Sequence, residues 1–135
     1  MKTTCGIIII QNKKILMCHS TGNSHWDLPK GLKDENETDI QTAIRELKEE
    51  TSFIVTENEL EFLGTQKFNK EKFISLFKYI GSKVFNEKEA VCNSFFINFK
   101  GKEMPEADAF EFFTKDEALN KSAKNMNKIL QDLNF

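Results

Sequence analysis

The chain predicts an α/β protein, a mixed β-sheet covered by helices on both faces. Three stretches carry that expectation. Gly6 to Ile10 is an unbroken apolar run, which suits a strand buried on both faces. Asp39 to Thr51 has few helix breakers and repeats apolar side chains at helical spacing. Ala123, Met126, Ile129, Leu130 and Leu133 form an amphipathic stripe suited to a closing helix. Strands on either side of a central helix, closed by another helix, give the layer order of an α/β domain. A length of 135 residues fits one domain, 1–135, large enough to bury its own core.

In chain order, Gln11-Asn12-Lys13 is turn-like, and Lys14 to His19 reads as the hairpin partner of the first strand. Ser20 to His25 is a short loop of small polar residues ahead of Trp26. Asp27-Leu28-Pro29-Lys30-Gly31 cannot be regular helix, because Pro29 fixes its own φ and disfavours helix at Leu28. A rigid bend ending in glycine lets the backbone approach a ligand closely. Thr38 or Asp39 can cap the helix that follows. Leu60 to Phe68 and Lys72 to Ile80 predict a second hairpin, turning at Asn69-Lys70-Glu71. Ala90 to Phe99 is rich in β-formers and predicts a strand, with Gly101 to Glu106 a loop. Phe110 to Phe113 predicts a short strand and Lys115 to Asn120 a short helix.

Composition excludes several classes. Apolar residues make up 39% and charged ones 30%, ordinary for a soluble globular chain. A net charge of −2 argues against a general nucleic-acid or membrane binder. The three cysteines, 5, 18 and 92, fit neither a disulfide framework nor a zinc spacing and read as reduced thiols of a cytoplasmic protein. The opening MKTTCGIIII is too brief for a signal sequence or a membrane span. Thirteen Phe against one Trp and one Tyr predict a Phe-rich core.

The central helix carries the chemistry. Ile40, Ile44, Leu47 and Thr51 share one face, which should meet the core. Glu46, Glu49 and Glu50, at i, i+3 and i+4, share another. Like charges at that spacing repel by about 0.2–0.5 kcal/mol per pair even on an open helix. The spacing makes physical sense if a hard cation sits among these oxygens, and the hard cations that work with phosphates are Mg2+ and Mn2+.

From Gly31 to Phe53 the chain resembles the Nudix box. Gly31 is followed by five residues and Glu37; seven more lead to Arg45-Glu46-Leu47-Lys48-Glu49-Glu50-Thr51. The family's next glycine is Ser52 here, and the final apolar position is Phe53. Every charged position of the box matches. The lead-in Trp26-Asp27-Leu28-Pro29-Lys30 also resembles what precedes the box in many members. The resemblance implies an α/β/α sandwich and a divalent-metal-dependent pyrophosphohydrolase. It implies that Glu46, Glu49 and Glu50 hold Mg2+ or Mn2+ with the Lys30 backbone carbonyl alongside. Glu37 would brace Arg45, and Arg45 is assigned to orientation, pointing away from Glu49. Gly31 and Glu37 support the site. Ser52 in the left-handed conformation of the family glycine would cost roughly 1 kcal/mol; otherwise the helix ends in another way.

The implied reaction is hydrolysis of a phosphoanhydride bond in a nucleoside diphosphate linked to another moiety. One box carboxylate, or a loop acid, is the general base; Glu87, Glu89, Glu103, Glu106 and Asp108 are the loop candidates. Glu106 leads, because Glu106 to Phe113 resembles the stretch before the last strand in dinucleoside polyphosphate hydrolases. The Lys30 side chain is either a phosphate contact or a solvated amine. Dinucleoside polyphosphates such as diadenosine tetraphosphate lead as substrates, with RNA 5′ ends close behind, and nucleotide-pool sanitising and nucleotide-sugar cleavage further back. A non-catalytic nucleotide sensor is the alternative of another class. No protein partner and no membrane is implied.

Overall fold

The computed structural model describes all 135 residues. The first strand, β1 (Lys2–Ile8), starts earlier than its apolar run, and Thr4 to Ile9 are buried on both faces. The chain then leaves that sheet. β2 (Ile10–Gln11) turns through Asn12 and Lys13, both at positive φ (52° and 63°), into β3 (Lys14–Ser20). The expected hairpin therefore holds only between β2 and β3. β1 finds its partners elsewhere.

β4 (Trp26–Asp27) pairs with β3, and β5 (Lys30–Leu32) pairs antiparallel with β1. The helix α1 (Asp39–Thr51) follows. Thr38 caps it: Thr38 Oγ1 accepts the Gln41 amide at 3.3 Å, and Gln41 Oε1 accepts the Thr38 amide at 3.0 Å, a reciprocal box. β6 (Leu60–Lys67) and β7 (Lys72–Tyr79) form the second hairpin as expected. β7 runs parallel to β1, so α1 lies on the crossover between them. The result is a mixed four-stranded sheet in the order β5-β1-β7-β6.

From Ala90 to Phe99 the structure departs from expectation. Only β8 (Phe95–Ile97) is strand, paired with β9 (Glu103–Pro105) in what the sequence suggested was loop. Residues 90–94 form no strand, and two of their amides go to α1. The Val91 amide donates to Thr51 O at 3.2 Å and the Asn93 amide to Glu49 O at 2.6 Å. This segment caps the carbonyl end of the helix instead of joining a sheet. β10 (Ala107–Phe113) returns to pair with β3, closing a second, antiparallel sheet. α2 (Lys115–Lys121) and α3 (Lys124–Gln131) end the chain.

The core lies in two layers. One packs Ala43 and Leu47 of α1 on Cys5, Ile7, Ile9 and Phe77. The other packs Ala118, Met126, Ile129 and Leu130 of α2 and α3 on Ile8, Ile15, Met17 and Ile74. Helices thus cover both faces, an α/β/α sandwich. The central helix meets its core with Ala43, Leu47 and Thr51, while Ile40 and Ile44 flank the contact half-buried. The expected Phe-rich core is corrected. Only Phe77, Phe85 and Phe113 are buried, because the core positions of β1 and β3 are filled by Ile, Leu and Met. Phe62, Phe73, Phe95, Phe96 and Phe99 are exposed. All three cysteines are free, Cys5 and Cys18 buried and Cys92 half-buried. No helix is long and apolar enough to cross a membrane.

Candidate active site

The bend before α1 and the second half of α1 pack against each other. Pro29 ends β4's neighbourhood, and Lys30 and Gly31 enter β5 directly beneath Glu46 and Glu50. A Cβ built on Gly31 would lie 2.0 Å from Glu46 Cδ, so only glycine lets the carboxyl sit there. Glu50 Oε1 accepts the Lys30 amide at 3.4 Å, its sole hydrogen bond. Both residues are 8% exposed.

Burial is costly for charged carboxylates, and it sets their titration. Burial, then the neighbouring Glu49 charge, pushes the Glu46 carboxyl up to about 7. Burial, then Glu46, raises Glu50 well above the ordinary carboxylate range. Glu50 has no basic side chain within ion-pairing reach; Lys30 Nζ is taken by Asp27 Oδ2 at 3.1 Å and lies over the Phe68 ring at 5.5 Å. The Lys30 amine is therefore committed to Asp27, near enough to Glu50 to oppose its rise but not to pair with it.

Arg45 organises the rest. Its Nε donates to Glu37 Oε2 at 2.6 Å and its Nη2 to Glu37 Oε1 at 2.9 Å, a two-pronged pair. Nη2 also reaches Leu32 O at 3.1 Å, tying β5 to α1. The expectation that Arg45 points away from Glu49 is corrected. Nη1 donates to Glu46 Oε1 at 2.9 Å and to both Glu49 oxygens at 3.3 Å, as i,i+4 geometry allows. Arg45 holds the Glu37 carboxyl down at about 2. With the guanidinium among them, the three box carboxylates do not close into a three-oxygen cage. Glu46 and Glu50 come together at Gly31, and Glu49 stands half-exposed beside Arg45. The donor set nevertheless fits a hard divalent cation. The available donors are all oxygens, and of the two buried acids only Glu46 touches the guanidinium, leaving Glu50 without a cation.

Ser52 ends α1 in the left-handed conformation at φ 69°, with its amide on Lys48 O at 2.8 Å. Its Oγ donates to Val91 O at 2.7 Å and accepts from Asn93 Nδ2 at 2.8 Å. The side chain thus offsets strain that a glycine would avoid.

Glu50 opens on a cleft of about 830 Å³. Its walls include Asp27 and Lys30, the Ser20–Asn23 loop, Glu106 and Asp108, and the β8–β9 hairpin through Phe96, Phe99 and Met104. Glu87, Glu89 and Glu103 line no part of it; of the loop acids, only Glu106 and Asp108 do. Three residues here carry little sign of a site in the sequence. Phe96 and Phe99 have the composition of a pairing strand. His19 closes the apolar run of β3, and a titratable ring in that place was the only signal.

Fold and site together define a class. The NUDIX domain model matches residues 2–133, and the chain belongs to that family: it is a Nudix hydrolase. Members generally use divalent metal ions and act on small nucleotide substrates. Among particular relatives, an uncharacterised 17.7 kDa protein of Enterobacteria phage T4 is 30% identical over 147 residues, covering 98% of this chain and 96% of that one. The asymmetrical bis(5′-nucleosyl)-tetraphosphatase of Mus musculus is 33% identical over 82 residues, 47% of this chain and 56% of that protein. A MutT NUDIX hydrolase from Burkholderia pseudomallei superposes with a TM-score of 0.71 at 16% identity, over 98% of each chain.

Proposed function

We propose that this Nudix hydrolase cleaves a phosphoanhydride bond in dinucleoside polyphosphates such as diadenosine tetraphosphate, using Mg2+ or Mn2+. One observation carries the metal assignment: two buried carboxyls, Glu46 and Glu50, meet at the Lys30–Gly31 backbone, and Glu50 lacks a cationic partner. Glu46, Glu49, Glu50 and the Lys30 carbonyl would hold the ion. Such an ion supplies charge neutralisation at the bridging oxygen and acidifies a water. Arg45 fixes Glu46 and Glu49 in place, and Glu37 fixes Arg45. Glu106, on the cleft wall, is the group assigned to take the proton of the attacking water at its carboxylate. The bis(5′-nucleosyl)-tetraphosphatase relative supports the substrate class, as does a cleft roomy enough for a nucleoside beyond the phosphates.

The test is turnover of diadenosine tetraphosphate with Mg2+ or Mn2+, comparing wild type with Glu49→Gln and Glu50→Gln. Loss of kcat by about a hundredfold or more in Glu50→Gln supports the assignment. Undiminished turnover in both variants overturns it. Tight nucleotide binding without turnover, across a broad panel, favours a sensor.

A further inference from the structure

The cleft that receives Glu50 is lined by Asp27, Glu50, Glu106 and Asp108, yet a polyphosphate is itself an anion. Of the side chains on its walls, only Lys30 and His19 can carry positive charge, and Lys30 is tied to Asp27. His19 is held in place from two sides. Its Nδ1 lies 2.5 Å from Asp108 Oδ1. Its ring meets Trp26 edge-on, centroids 5.1 Å apart, and Trp26 in turn packs on Phe113 at 5.0 Å.

The pairing of β3 with β10 explains how Asp108 arrives there. Ser20 pairs with Ala107 and His19 with Ala109, so Asp108 is the extra residue of a β-bulge. A bulge redirects a side chain that regular alternation would send elsewhere. Here it sets the carboxylate beside the imidazole at the cleft. No protein group bonds the other ring nitrogen, Nε2.

We infer that His19, held by Asp108, is a binding residue for a substrate phosphate, gripping it through Nε2. With a proton on each nitrogen, as binding of a phosphate anion favours, the ring donates Nδ1–H to Asp108 and Nε2–H to a phosphate oxygen, and charge-assisted bonds of this kind are the strong ones. Asp108 is a positioning residue: it fixes the ring and offsets its charge until substrate arrives. This inference rests on the proposed function in needing a polyphosphate substrate, but not on which nucleosides it bears.

The experiment uses the whole chain with Mg2+. It measures kcat and KM on diadenosine tetraphosphate, and calorimetric affinity for inorganic tripolyphosphate, for wild type, His19→Phe and Asp108→Asn. Phe keeps the packing on Trp26 and removes both ring nitrogens. The expected result is a KM and a tripolyphosphate Kd raised about tenfold in His19→Phe, with kcat within about twofold of wild type. Asp108→Asn is expected to raise both by about threefold. Should His19→Phe fold poorly by thermal melt, Asp108→Asn, altered at an exposed position, carries the test alone. A fall in kcat at constant KM would make His19 a proton-transfer group and overturn the inference. Variants that match wild type in both assays overturn it while leaving the proposed function intact. A wild type that neither binds tripolyphosphate nor turns over substrate overturns both.

Discussion

Glu46 occupies the space that a side chain at residue 31 would fill: a Cβ there would lie 2.0 Å from its Cδ and 2.2 Å from its Oε2. Gly31 is thus a void shaped for a carboxyl. In Gly31→Ala the carboxyl must swing away from the Lys30–Gly31 backbone. We expect kcat/KM to fall about ten- to a hundredfold, since displaced catalytic groups lose their alignment. The loss should not add to that of Glu46→Gln in the double variant, because both act on one carboxyl. Full additivity, or an Ala variant as active as wild type, would count against this.

The Glu37–Arg45 pair should stabilise the fold above the ordinary carboxylate range and fail in acid. Arg45 holds Glu37 down at about 2, below its usual 4.5. The folded state therefore binds this proton less readily than the unfolded one. Its stabilisation is present above about 4.5 and is lost as pH falls toward about 2. The pair is partly solvated, so its net worth is about 1 kcal/mol after screening. Glu37→Gln should lower the melting temperature at neutral pH, and the gap from wild type should close near pH 3 or below. A gap that is constant with pH would remove this role.

Ser52 separates two effects that usually travel together. Its φ of 69° costs roughly 1 kcal/mol that glycine would not incur, while its hydroxyl bonds Val91 O and Asn93 Nδ2. Ser52→Gly relieves the strain and loses the bonds, so its stability should stay within about 0.5 kcal/mol of wild type. Ser52→Ala keeps the strain and loses the bonds, and should cost about 1 kcal/mol more than Gly. Denaturant melts resolve that difference, and equal stability of Gly and Ala would refute it.

What could be read from the residues followed how local their cause was. α1 came out with its bounds, and its cap narrowed to Thr38 or Asp39, because the capping residue and the apolar spacing lie within the segment itself. The β6–β7 hairpin was legible for the same reason. The fate of β1 was not. Pairing with β5 and β7 instead of β3 is decided by the crossover and by what α1 must cover. Residues 90–94 looked like strand by composition, but the open carbonyls of Glu49 and Thr51 outbid a sheet for their amides. In the site, Glu46 and Glu50 were legible by spacing. The Arg45–Glu49 contact was not legible from the box pattern, because a guanidinium long enough to hold Glu37 also reaches one turn along its own helix. His19 and Asp108 were invisible as a pair, since they stand 89 positions apart and a bulge at Asp108 is what brings them together.

The buried acids couple metal, pH and stability in a way that a melt can read. Burial raises Glu46 to about 7 and Glu50 above its ordinary range as well. A raised carboxyl binds its proton more tightly in the folded state than in the unfolded one. That contribution is fully present below about 4.5 and is lost as pH rises through about 7. Without divalent ions, the melting temperature should therefore decline between about pH 5 and pH 8. Glu50→Gln and Glu46→Gln should each flatten that decline, since an amide stays neutral throughout. Mg2+ or Mn2+ in the millimolar range should restore wild type at about pH 8 and do much less at about pH 5, where protons compete for the same oxygens. Neither variant should regain stability to the same extent. A wild-type melting temperature indifferent to both pH and metal in this window would mean that these two carboxyls do not share an ion.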